Sequence, residues 1–93
     1  LISHLSENFI GCFEGLPATV KDQARRNYRL WKSDTHHPSL HFKRVHSIEP
    51  VYSVRVGMGW RALGLVEEGE ITWFWIGSHA DYDKMLARML SDN

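Results

Sequence analysis

The 93 residues include one cysteine and three prolines, and the chain carries no net charge. No apolar run approaches the roughly 18 residues that a membrane-spanning helix needs. A lone cysteine, Cys12, cannot close an internal disulfide, so no disulfide framework is expected, and a cytoplasmic setting is. Six histidines are present without a cysteine pair or carboxylate cluster to complete a metal site. His37 and His41 have the i, i+4 spacing of a helical metal pair, but Pro38 lies between them. Gly57-Met58-Gly59 lacks the lysine and following helix of a phosphate-cradling loop. Neither metal nor cofactor is expected. Repeats, low-complexity tracts and linkers are also absent, so residues 1–93 read as a single domain.

A core, by contrast, is well supplied: 43% of the residues are hydrophobic, which excludes disorder. The zero net charge hides a strong asymmetry. Residues 21–61 hold nine basic residues (Lys21, Arg25, Arg26, Arg29, Lys32, Lys43, Arg44, Arg55 and Arg61) against Asp22, Asp34 and Glu49, a local charge of +6. Residues 62–93 hold Lys84 and Arg88 against six acids, a local charge of −4. It is the local field, not the sum, that steers a polyanion.

Apolar spacing predicts the elements. Leu5, Phe9, Cys12, Phe13 and Leu16 recur at helical intervals, and Leu16-Pro17 breaks the run. A second helix carries Val20, Ala24, Tyr28 and Trp31 on one face, with Arg25, Arg26 and Arg29 largely off it. After the polar loop at 33–38 the period becomes two, predicting strands at 40–45, 51–56, 60–66 and 71–76. Tyr82, Met85, Leu86, Met89 and Leu90 then mark a last amphipathic helix. This is an α+β fold: two helices packed on a mainly antiparallel four-stranded sheet, followed by a C-terminal helix.

The short turns fix a register. Three residues between the second and third strands set Val56 opposite Trp60 and Arg55 opposite Arg61. A two-residue Glu68-Gly69 turn would set Arg61 opposite Ile76. The face with Tyr52, Val54, Val56, Trp60, Ala62, Trp73 and Trp75 is expected to meet the first two helices. Arg55 and Arg61 lie on the other face, beyond the part that the last helix covers, and His79 emerges at the same end. Like charges directly opposite destabilise a sheet unless an anion or carboxylate sits between them.

Arg55, Arg61, His79 and Tyr82 have the residue types for metal-free cleavage of RNA. In that reaction a 2′-hydroxyl attacks phosphorus, cations stabilise the phosphorane, and an acid protonates the 5′-oxygen. Arginine stays charged and donates bidentately, and histidine titrates near neutrality. The residues alone leave a blander reading open: arginines paired with Glu67, Asp81 or Asp83, and His79 merely capping the last helix. His41 and Lys43 are expected on one strand face, as a flank of a basic groove or as a solvated surface.

The segments His37-Pro38-Ser39-Leu40-His41-Phe42-Lys43, Tyr52-Ser53-Val54-Arg55-Val56, Trp60-Arg61-Ala62-Leu63 and Trp75-Ile76-Gly77-Ser78-His79-Ala80-Asp81-Tyr82 resemble the RelE/ParE superfamily of bacterial toxins. The likeness covers nearly the whole chain, and Tyr52 to Tyr82 is its specific part. It implies a RelE-like fold, with a short initial strand at or before Leu1. It also implies an antitoxin partner and ribosome-dependent cleavage of mRNA, with Arg61, Arg55, His79 and Tyr82 as catalytic residues. Lys43, Arg44, His41, Arg25, Arg26 and Arg29 would contact RNA, and Lys43, His41 and Glu49 are candidates for the general base. Ser53 stands where some members have lysine, and the chain is neutral where most are basic. Two alternatives share the fold: a gyrase poison without nuclease activity, and a catalytically weak relic acting only through antitoxin binding.

Overall fold

The computed structural model describes residues 1–91. A short strand β1 (Ile2–Leu5) leads into helices α1 (Glu7–Glu14) and α2 (Ala18–Ser33). A 3₁₀ turn at Pro38–Leu40 precedes β2 (Lys43–Arg44), and β3 (Val51–Val56), β4 (Trp60–Glu67) and β5 (Glu70–Ser78) follow. Helix α3 (His79–Ser91) closes the described chain. The five strands form one sheet in the order β1-β5-β4-β3-β2, with β1 parallel to β5 and every other pairing antiparallel.

Two expectations at the ends of the sheet are corrected. The initial strand lies inside the chain, and Leu5, taken as the first residue of a helical stripe, is its last residue. The helix starts only after Ser6, whose hydroxyl accepts the Phe9 N–H at 3.1 Å and so caps the first turn. The strand expected at 40–45 shrinks to Lys43–Arg44. His37 caps the turn that begins at Pro38, Leu40 is fully buried, and His41 adopts the left-handed conformation with φ of 46°. A residue so placed cannot continue a strand, so His41 and Lys43 share no strand face.

The Arg55–Arg61 register is as expected, and hydrogen bonding sharpens it. Val66 N–H donates to the Pro50 carbonyl at 3.0 Å. Counting in steps of two, 52/64, 54/62 and 56/60 are the hydrogen-bonded pairs of β3 and β4. Arg55 and Arg61 are therefore a non-hydrogen-bonded pair, the class whose Cα atoms come within about 4.5 Å and whose side chains stand closest.

The β4–β5 register departs from expectation. Glu68-Gly69 is a two-residue turn, with φ of 50° and 78° as a type I′ turn requires. A bulge then slips the ladder between Leu63 and Gly64, leaving Phe74 unopposed. Arg61 consequently faces Gly77, not Ile76. Gly64 permits the close packing here, since a Cβ would come within 2.7–2.9 Å of Ile71 and Trp73 side-chain atoms. Trp75 is thereby flipped to the face opposite Trp73, and Ile76 joins the helix side.

Two apolar clusters result. Beneath α1 and α2 lie Trp31, Leu40, Val54, Val56, Ala62, Ile71, Trp73 and Ile76. On the other face Val51, Leu63 and Trp75 meet Tyr82, Met85, Leu86 and Met89 of α3. The last helix thus covers the apolar part of that face and leaves the arginine end open.

Candidate functional site

Three anchors build the open end of the sheet. Asn27 of α2 reaches through from the other side and donates its amide to the Arg55 carbonyl at 2.9 Å, fixing the end of β3. The His79 N–H donates to the Gly59 carbonyl at 2.8 Å, tying the start of α3 to the β3–β4 turn. Ser78 supplies the helix cap, its hydroxyl accepting the Asp81 N–H at 3.2 Å.

Arg61 is held by main chain. Its Nη1 donates to the Trp60 carbonyl at 2.8 Å and to the Met58 carbonyl at 3.4 Å. Burial, and next the Arg55 charge, lower its pKa, whereas Tyr82 and Asp83 oppose that shift. It remains a cation at any working pH. The Arg55 Nε is buried and has no acceptor. Among the described residues, neither guanidinium forms an ion pair with a carboxylate.

The acid that could have neutralised this pair is engaged elsewhere. Asp83 Oδ2 lies 3.2 Å from His79 Nδ1, one helical turn away. The His79 ring stands edge-on to Tyr82, with centroids 5.9 Å apart and planes at 77°. Tyr82 is buried and packs into the α3 cluster, so its ring backs His79 and offers no open stacking face. The cap is Ser78 and not His79. The blander pairing scheme thus fails on both counts, and Asp83 is a site residue that the strand pattern did not pick out. Its signal was the i, i+4 spacing from His79.

The other basic residues divide. Lys43 pairs in register with Ser53, so it stands on the Arg55 face, one step nearer the sheet edge. Arg44 bends back on its own loop, donating to the His46 carbonyl at 3.0 Å and the Ile48 carbonyl at 3.2 Å. Glu49 precedes β3 at the far end from Arg55, beyond four residues or about 13 Å of strand. Arg25, Arg26 and Arg29 lie on α2, across the sheet from Arg61. Arg25 pairs with Asp22 and covers the Phe13 ring, and Arg26 donates to Gln23. Among the described residues, no three His, Cys, Asp or Glu side chains group as metal ligands.

Comparison with known proteins decides the family. The sequence model of the ParE-like toxin domain matches residues 18–84, which span α2 to the middle of α3. The chain belongs to that family. No curated protein matches it significantly in sequence. Among solved structures, the toxin domain resembles a RelB–RelE antitoxin–toxin complex from Methanococcus jannaschii, with a TM-score of 0.71 at 13% identity over 88% of this chain and 96% of that one. The isolated Escherichia coli RelE toxin aligns at 0.63 and 14% identity, over 96% of this chain and 98% of its own. A RelE–RelB complex from Pyrococcus horikoshii aligns at 0.63 and 10%, over 83% and 92%. At such identities the likeness establishes the RelE-like fold of this toxin domain, β1 and α3 included.

Proposed function

We propose that this toxin domain acts in a type II toxin–antitoxin system as a metal-independent endoribonuclease that cuts mRNA on the ribosome. One observation carries the reading: two arginines oppose each other on a close pair, without a carboxylate partner, beside the histidine that opens α3. A scissile phosphate would supply the missing anion. The substrate 2′-hydroxyl attacks phosphorus, Arg61 and Arg55 stabilise the phosphorane oxygens, and the P–O5′ bond breaks as His79 gives its proton to O5′. The products are a 2′,3′-cyclic phosphate and a 5′-hydroxyl. Each guanidinium contributes where charge develops, so its loss slows cleavage by roughly 10²–10³.

Asp83 and Tyr82 hold the His79 ring. Lys43, on the same face, is the first candidate to take the 2′-proton; His41 is the second. Lys43 and the α2 arginines would contact ribosomal RNA, and the cognate antitoxin, encoded beside the toxin, would mask the site. Primer extension on mRNA translated in vitro is the test. Codon-phased breaks support the reading, and intact message refutes it.

The family model itself favours a second reading, a ParE-like poison of DNA gyrase. Supercoiling inhibited by protein that leaves translated mRNA intact would select it.

A further inference from the structure

The flank of α3 turned away from His79 borders a groove of about 680 Å³ between α1 and α3, floored by the end of β5. Trp60, Trp75 and Met85 give it apolar walls, and Lys84 and Arg88, one helical turn apart, overhang it. Neither cation forms an ion pair with another described residue. Asp81 is the one carboxylate in the lining, so the side chains sum to one positive charge.

Groove and arginine pair adjoin at Gly77, which lines the groove. The Trp75 ring lies across Gly77 so closely that a Cβ there would sit 2.5 Å from Trp75 Cζ2. Gly77 is the cross-strand partner of Arg61. With a rise of about 1.5 Å per residue, Lys84 stands about 8 Å along the helix axis from His79, and Arg88 about 14 Å.

Unpaired cations beside aromatic walls are the elements of a sequence-tolerant seat for single-stranded nucleic acid. We infer that the α1–α3 groove seats the nucleotide adjoining the scissile phosphate. Lys84 and Arg88 take its backbone phosphate, and its base lies against Trp60 and Met85. This deepens the nuclease reading and rests on it. An acidic peptide would suit the charges but would make no use of the adjoining phosphate site.

The experiment uses the purified toxin and a fluorescent 2′-O-methyl hexanucleotide, which lacks the attacking hydroxyl. Binding is followed by anisotropy from 50 to 200 mM salt. Each lost phosphate contact lowers the slope of log K against log salt by about 0.7 for a single strand. The Lys84→Ala/Arg88→Ala double variant should bind at least fivefold more weakly, with a slope shallower by about 0.7 for the one phosphate released, and Lys84→Arg should bind like wild type. Both side chains are exposed, and an unchanged melting temperature verifies the fold. Equal affinity and slope in the double variant overturn the inference, as does failure of the wild type to bind. If the slope falls but wild type leaves translated mRNA intact, the cleavage reading fails and the RNA seat stands. If wild type cuts mRNA and the variant binds unchanged, the groove inference alone fails.

Discussion

Replacing Arg55 by methionine should make this protein more stable and less active. The Arg55 Nε is buried without an acceptor, and a buried unsatisfied donor costs about 1–3 kcal/mol. The opposed Arg61 charge adds about 0.2–1 kcal/mol of repulsion. Methionine keeps most of the apolar stem that packs at the end of β3 and removes both penalties. Taking the low end for the donor, the gain is about 1.2–2 kcal/mol. With about 2.1 cal/mol/K of unfolding entropy per residue, 93 residues give about 195 cal/mol/K, so the melting temperature should rise by roughly 6–10 °C.

Calorimetry at low salt measures this rise, with wild type and variant also scanned in sulfate. The anion should raise the wild-type melting temperature more than that of the variant, since it neutralises the same pair. Cleavage by the variant should drop by about 10²-fold or more. An unchanged or lower melting temperature would mean that the guanidinium has a good partner in solution and that the arginine pair carries no strain. Because burial and Arg55 lower the Arg61 pKa, its charge is disfavoured by folding at every pH below that value. Arginine titrates far above the working range, so this group should add no slope to stability between pH 5 and 9.

Three further outcomes follow from the same contacts. Gly77→Ala must displace the buried Trp75 ring, costing about 1–3 kcal/mol and lowering the melting temperature by at least 5 °C, whereas Gly59→Ala, with open space around its new methyl, should stay within 2 °C. Ser6→Ala removes the cap of α1 and should cost about 1 kcal/mol in urea titration, with hydrogen exchange accelerated at Phe9. Asp83→Ala should reduce the single-turnover cleavage rate about tenfold at unchanged affinity, and Asp83→Asn should recover part of it, because an amide oxygen can still accept from the His79 ring. Equal rates in all three proteins would make the Asp83 contact incidental.

The sequence made most of the layered fold readable, because three of its strands and all three helices carry apolar residues at clean periods. The Arg55–Arg61 pair was readable too, since Gly57-Met58-Gly59 left little freedom in the turn. What escaped had specific causes. β1 shows no alternation because it lies at the sheet edge with Ile2 and Leu5 exposed. The bulge at Phe74 is encoded in how Ile71 and Trp73 fold over Gly64, a contact between strands that no local period reveals. Slipping the register by one residue moved Trp75 and Ile76 to opposite faces from those expected, and turned Gly77 toward Arg61. Tyr82 lies near Arg61, and its burial in the α3 cluster depends on that flipped Trp75.

Whether the toxin domain cuts mRNA on the ribosome is settled by primer extension on an mRNA translated in vitro, with wild type, Arg61→Ala and His79→Ala compared at equal concentration. Wild type should give breaks at codon-phased positions, and each variant should lose them by about 10²-fold or more. Breaks that persist undiminished in both variants, or a message left intact by wild type, would contradict the nuclease reading.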